Sequence, residues 1–153
     1  MTSVDVPHPR PRSMATQRLV LRALVAFEAV STILGAVCAF VAPTLVVGSM
    51  IAGDLEPQAA AVVAQAAPAW TALGLLLLGS LMLGPADQRA LRVLYVPILV
   101  GDVAHVGAIA WLVHGHGSWT TGAIGVAAFV VFVFAYRTVI VIRPERLLGA
   151  PPR

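Results

Sequence analysis

The sequence predicts an all-α protein, a bundle of four transmembrane helices with both termini in the cytoplasm. Of its 153 residues, 59% are apolar and only 11% are charged, and the mean hydropathy is +0.89. Such a chain has too few polar side chains to cover a soluble globule. The apolar residues form four long runs, and most charges lie between or beyond these runs. Composition and charge pattern therefore indicate a polytopic membrane protein.

The four runs give four predicted helices. A helix of about 24 residues is roughly 36 Å long, which exceeds the roughly 30 Å of hydrocarbon in a bilayer. Breaks in the helical pattern at Pro43, at Gly84-Pro85 and in the loop 114–118 separate the runs, and Pro144 ends the fourth. The predicted helices cover residues 19–42, 59–83, 89–113 and 119–142 and form a single domain, 19–143.

The first run is predicted to remain in the protein as a helix. The apolar region of a signal peptide has about 7 to 15 residues, whereas this run extends from Leu19 to Ala42 and contains Arg22 and Glu28. Residues 1–18 and 144–153 are rich in proline. They are predicted to be cytoplasmic tails, the first disordered and the second frayed.

The connections between the helices are short. The segment from Pro43 to Pro57 is partly apolar and too short for another span, so it is expected to lie along the interface or to dip into the membrane. The loop 114–118 makes the third and fourth helices antiparallel neighbours. Pro68 and Pro97 are predicted kinks inside the second and third helices. Small residues that would allow close helix contacts are Gly35, Ala39, Gly101, Ala104, Ala108, Gly122 and Gly125.

The arginines predict the orientation. All ten positive charges are arginine, and they lie in the two tails and the turn after the second helix if Arg22 and Arg137 are assigned to their nearer ends. The positive-inside rule then places both termini in the cytoplasm. The absence of lysine and the abundance of Ala, Val, Gly and Pro are typical of a GC-rich coding sequence. We expect a multi-pass protein of a bacterial plasma membrane.

Two acids are predicted at similar membrane depth. At about 1.5 Å per residue, Glu28 lies roughly 14 Å and Asp102 roughly 18 Å from the cytoplasmic side, with His105 one turn further. An ionised acid at such depth costs roughly 2.5 to 3.5 kcal/mol on insertion scales, which suggests a specific role. Helical spacing puts Asp102 and His105 on one face with Tyr95, Ile98 and Ile109, and Glu28 on a face with Leu24, Ser31, Thr32 and Gly35.

These groups suit either catalysis or helix association. Hydrocarbon favours the neutral form of a carboxylic acid, which could protonate a substrate while His105 orients the donor. Alternatively, Asp102 and His105 are a structural pair between helices, and Glu28 simply pairs with Arg22 or Arg137.

Aromatic side chains are candidates for the wall of a cavity around these groups. They are Tyr95, Phe129, Phe132, Tyr136 and Trp70. The alternative for them is packing or lipid contact. His114 and His116 lie in a glycine loop without a third ligand, which favours a solvated turn over a metal site. Neither a metal nor a cofactor is expected.

The glutamate midway along helix one and Gly101-Asp102-x-x-His105 in helix three resemble the pattern of a group of small four-helix membrane proteins of filamentous fungi. The arrangement is also similar to the integral membrane terpene cyclases of meroterpenoid and indole-terpenoid pathways, and to sterol-isomerase-type bundles. The resemblance covers helices one and three, about half of the chain, and concerns Glu28, Asp102 and His105. It implies acid catalysis by carboxyl groups inside the membrane.

The sequence therefore predicts an acid-catalysed cyclase or isomerase of an isoprenoid or similarly lipophilic substrate. Asp102 would be the proton donor, His105 its orienting partner and Glu28 the second carboxyl group. The expected partners are the lipid bilayer and a lipophilic small molecule, and an oligomer is compatible with the sequence. The net charge of +3 has no basic patch that would indicate nucleic acid. Two other classes stay open, a non-catalytic membrane subunit or assembly factor and an oligomeric proton-coupled transporter.

Overall fold

A computed structural model describes residues 11–50, 57–116 and 119–149, and in these residues the fold is helical without β-strands. The helices are α1 (Pro11–Val41), α2 (Pro43–Met50), α3 (Pro57–Ser80), α4 (Gln88–His116), α5 (Thr121–Ile142) and α6 (Glu145–Leu148), with a 3-10 turn at Pro85–Asp87 before α4. Within these ranges α1, α3, α4 and α5 are long and apolar enough to cross a membrane. The predicted four-helix transmembrane bundle is confirmed, and two short helices add to it.

Both predicted tails contain helix. The first helix begins at Pro11, a residue whose fixed φ suits the first helical turn, so the prediction of disorder is wrong for residues 11–18. In the C-terminal segment, Leu147 and Leu148 of α6 are fully buried against the core, which explains why the segment is helical. His114 and His116 belong to α4 and not to a loop. Residues 1–10, 51–56, 117–118 and 150–153 lie outside the described residues.

The long helices pack as two pairs, α1 with α3 and α4 with α5. In the first pair Gly74 permits a close approach, since a Cβ there would lie 2.5 Å from Ile33 Cγ1 and 3.0 Å from the Ala29 carbonyl oxygen. Gly74 was not among the small residues predicted to do this. The predicted small residues of α4 are exposed instead, namely Gly101, Ala104 and Ala108.

The two pairs meet in one main core at the arginine-bearing end of the bundle, the end that carries Arg18, Arg22, Arg89, Arg92, Arg143 and Arg146. Its buried side chains are Val25, Ala29, Leu77, Leu91, Tyr95, Val133, Tyr136, Ile140, Leu147 and Leu148. Towards the opposite end the core divides. Ala36, Ala39 and Ala67 pack within the first pair, while Ile109 and Ala123 pack within the second. The pairs are therefore joined at one end and separated further along.

The short helix α2 bridges the pairs at the opposite end, where it contacts α1, α3 and α5. Thr120 Oγ1 donates a hydrogen bond of 2.8 Å to the Ser49 carbonyl and accepts one from the Ala123 amide as the N-cap of α5. A Cβ at Gly122 would overlap the Ser49 carbonyl oxygen. The end of α2 is thus fastened to the beginning of α5.

Three arginines at the arginine-bearing end cap helix or turn carbonyls. Terminal carbonyls have no partner within their own helix, and a cation near them also complements the helix dipole. The bonds run from Arg18 Nε to the Leu147 carbonyl (3.1 Å), from Arg22 Nη2 to the Leu81 carbonyl (2.6 Å) and from Arg92 Nε to the Val141 carbonyl (3.2 Å). Arginines that predict topology in the sequence therefore also connect helix ends in the fold.

Candidate active site

Glu28 lies on the face of α1 that points into the bundle. This face buries Val25, Ala29 and Ala36 at helical spacing, and the Glu28 side chain among them is only 2% exposed. A carboxyl group in such a setting requires a partner, because burying an unpaired charge is costly.

The partner is Arg137 of α5. The buried face of α5 repeats every three or four residues through Val130, Val133, Arg137 and Ile140. Arg137 is also 2% exposed, and its Nη2 donates a hydrogen bond to Glu28 Oε1. Arg137 therefore points inward rather than towards the nearer membrane surface. Of the two partners considered for Glu28, the structure shows Arg137.

The same guanidinium binds a second acid. Arg137 Nη1 donates to Asp102 Oδ1 of α4 at 2.5 Å, so three helices contribute to one acid–arginine triad of Glu28, Arg137 and Asp102. Within the described residues these are the only ion pairs. The Glu28 pair connects the two helix pairs, whereas the Asp102 pair lies within the second.

The net charge of the triad depends on whether its two carboxyl groups carry a proton. Two carboxylates and one guanidinium carry a net charge of −1, which is unfavourable in a low-dielectric interior. One proton bound to either carboxyl group makes the triad neutral. Glu28 Oε2 and Asp102 Oδ2 are buried and have no hydrogen-bond partner among the described residues. Either oxygen is thus available to carry an exchangeable proton.

A cavity of about 280 Å³ lies next to the triad, between the two helix pairs. Thr32, Gly35 and Cys38 line it from α1, and they follow Glu28 at one-turn intervals towards the opposite end. Trp70 and Phe129 line it from α3 and α5, and α2 contributes Val46. Its surface is mostly apolar. Among the described residues that line it, the charged groups are confined to the triad.

The structure brings together five of the eight predicted site residues. They are Glu28, Asp102, His105, Trp70 and Phe129, which all line this cavity. Tyr95 and Tyr136 lie in the main core, where the Tyr95 hydroxyl is hydrogen-bonded to Ser80 Oγ (3.1 Å). Phe132 is 50% exposed on the outer surface and makes an edge-to-face contact with Tyr136 at 5.8 Å between ring centroids.

The relation between Asp102 and His105 differs from the expected pair. Both side chains line the cavity, but in the described part of the chain Asp102 accepts its hydrogen bond from Arg137 and none joins it to His105. The partner that orients the acid is therefore an arginine of the next helix. The available sequence signal was the position of Arg137 on the same face as Val130, Val133 and Ile140.

Neither a metal site nor similarity to known proteins gives further information about this site. In the ranges that the structure describes, no three side chains of His, Cys, Asp or Glu are grouped to hold a metal ion. In comparisons with known proteins, no family model, curated protein or solved structure matches the chain. What the site does must therefore be argued from its own geometry.

Proposed function

We propose that the protein is an integral membrane enzyme that cyclises or isomerises an isoprenoid or similarly lipophilic substrate by acid catalysis. The observation that carries the proposal is an apolar cavity bordered by two carboxyl groups that share one arginine. Its volume of about 280 Å³ is close to the lower limit of small-molecule sites, roughly 300 Å³.

The triad is the proton source. In the neutral form of the triad, one ionised carboxylate balances the positive charge of Arg137, and the other acid keeps its proton. The side chain of Asp102 is 12% exposed, against 2% for Glu28. Asp102 is accordingly the acid that meets the substrate, and Glu28 is the second carboxyl group, which binds the same guanidinium.

The reaction follows from this arrangement. Asp102 gives its proton to an alkene carbon, whose π electrons form the new C–H bond, or to an epoxide oxygen, whose C–O bond breaks. Either step leaves a carbocation, which the ring faces of Trp70 and Phe129 stabilise, and the scarcity of water limits its capture. The cation either loses a neighbouring proton directly, or first closes on a second double bond to give a ring cation that then loses a neighbouring proton. Asp102 or His105 accepts that proton, so the reaction needs no oxidant or reductant.

Deuterium exchange provides the test. Proteoliposomes with the purified protein are incubated in D2O with a panel of isoprenoid alkenes and epoxides, and the recovered lipids are analysed by mass spectrometry. When the substrate is protonated at an alkene carbon, we expect one carbon-bound deuterium in the product. Asp102→Asn and Glu28→Gln should each reduce product formation by about 100-fold or more, a usual range for loss of general acid catalysis. Glu145→Gln is the matched control, because Glu145 is exposed and lies outside the cavity.

Two results contradict the proposal. One is conversion at an unchanged rate by both amide variants. The other is no conversion by any protein, while the amide variants lose only abundance or thermal stability. That second result would assign the triad to helix association in a non-catalytic membrane subunit. Proton flux in the same proteoliposomes, abolished by the amide variants, would instead favour a proton-coupled transporter.

A further inference from the structure

We propose that the arginine-bearing end of the bundle holds a binding site for the phosphate group of an anionic membrane lipid. The site is a second cavity, of about 340 Å³, between the beginning of α1 and the junction of α5 with α6. Among the described residues, Arg18, Arg143 and Arg146 line it together with a single acid, Glu145. Three positive charges and one negative charge leave the cavity with a net charge of +2.

Arg18 is held in place for such a role. Its Nε donates to the Leu147 carbonyl at 3.1 Å, and the two terminal nitrogens of the guanidinium bind no acceptor among the described residues, so they can bind another group. Gly149, with φ of 95°, brings the backbone close to this group, since a Cβ there would lie 3.1 Å from Arg18 Nη1. The Arg18 guanidinium is thus positioned by the backbone at Leu147 and Gly149, and Gly149 also lines the cavity.

Arg143 and Arg146 reach the same cavity from the other side. Neither forms an ion pair with a described residue, so the repulsion among three guanidinium groups is relieved only in part by Glu145. A phosphate offers several acceptor oxygens to several arginines, and planar guanidinium groups bind such oxygens in pairs. The residue types fit a phosphate better than a single carboxylate.

The position favours a lipid as the source of the phosphate. Arg143 directly follows the apolar span Thr121–Ile142, and Arg18 lies near the beginning of the span Met14–Val41. The neighbouring Leu19 and Ile142 are 70% and 66% exposed, as lipid-facing side chains are. The cavity therefore lies where lipid headgroups meet the hydrocarbon, a depth at which basic pockets bind anionic headgroups.

Native mass spectrometry of the full chain released from lipid nanodiscs tests this inference. The discs contain equal amounts of phosphatidylglycerol and phosphatidylcholine. We expect the wild type to retain one phosphatidylglycerol in preference, and Arg143→Gln combined with Arg146→Gln to bind it about tenfold more weakly or worse. Arg89→Gln is the control, because Arg89 is exposed at the same end and does not line the cavity.

Several outcomes would overturn the inference. One is that the wild type retains both lipids equally. Another is that Arg89→Gln loses as much binding as the double variant, which would show that the lipid is attracted only by the general positive charge of this surface. Glycerol 3-phosphate could raise the melting temperature of the wild type alone while lipid retention stays equal, which would assign a soluble phosphate ester. Should the glutamine variant not fold, Arg143→Lys with Arg146→Lys keeps the charge, and we expect weaker binding from the loss of paired hydrogen bonds.

Discussion

The Arg137 guanidinium on α5 donates a hydrogen bond to the Glu28 carboxylate on α1, and this contact joins the two helix pairs of the bundle. The main packing partner of α1 is α3, and that of α5 is α4. The contact between α1 and α5 at this level is therefore made by the long side chains of Glu28 and Arg137. Because Arg137 also binds Asp102, one residue fixes the relative position of three helices. The triad is therefore expected to affect both stability and the geometry of the cavity.

Arg137→Met should destabilise the protein strongly. It leaves Glu28 and Asp102 buried without a cation, and removal of one partner of a buried ion pair typically costs about 3–5 kcal/mol. Thermal unfolding in detergent or unfolding by sodium dodecyl sulfate measures the loss.

The matched comparison is the triple variant Glu28→Met, Asp102→Leu and Arg137→Met. Replacement of a whole buried ionic group by apolar residues is often neutral, so this variant should recover most of the stability while it remains inactive. A triple variant less stable than Arg137→Met would contradict the view that unpaired charge dominates the effect.

Gly35→Leu should fill the cavity while the fold is retained. No atom of the described residues lies within 4 Å of a Cβ at Gly35, which lines the cavity, and leucine favours a helix by about 1 kcal/mol over glycine. We expect an unchanged or higher melting temperature together with a large loss of product formation in the D2O assay. Gly107→Leu is the control, since Gly107 is exposed on α4, has equally open surroundings and does not line the cavity. Equal activity of the two variants would disprove the role of this cavity.

Gly122→Ala should separate α2 from α5. The added methyl group overlaps the Ser49 carbonyl oxygen, which is a backbone atom and cannot rotate away. The expected loss of stability is about 1–3 kcal/mol, the usual range for overpacking. Gly125→Ala places the new Cβ more than 4 Å from every other described residue outside its own helical turn, and this variant should be neutral or stabilising by up to about 1 kcal/mol. Equal melting temperatures for the two variants would show that α2 is not fastened at this position.

Local patterns predicted the membrane character of the chain and part of its site. The inward faces of α1 and α4 follow from helical spacing, and Glu28, Thr32, Asp102 and His105 indeed line one cavity. The aromatic stripe was less informative. Spacing puts Phe129, Phe132 and Tyr136 on one side of α5. In the structure Phe129 lines the cavity, Phe132 is exposed on the outer surface and Tyr136 lies in the core. Helical spacing alone does not show which residues of such a stripe face a cavity, the core or the outer surface, because that depends on where the neighbouring helices pack.

The sequence by itself determined the number of spans and the similar depth of the two acids, because hydropathy and rise per residue are properties of single segments. The tertiary structure decided that Arg137 turns inward, that α1 pairs with α3, and that α2 closes the opposite end. These outcomes depend on the rotation of each helix about its axis, which hydropathy leaves open. Glu28 and Arg137 are 109 residues apart in the chain, and only packing between distant segments could bring them together.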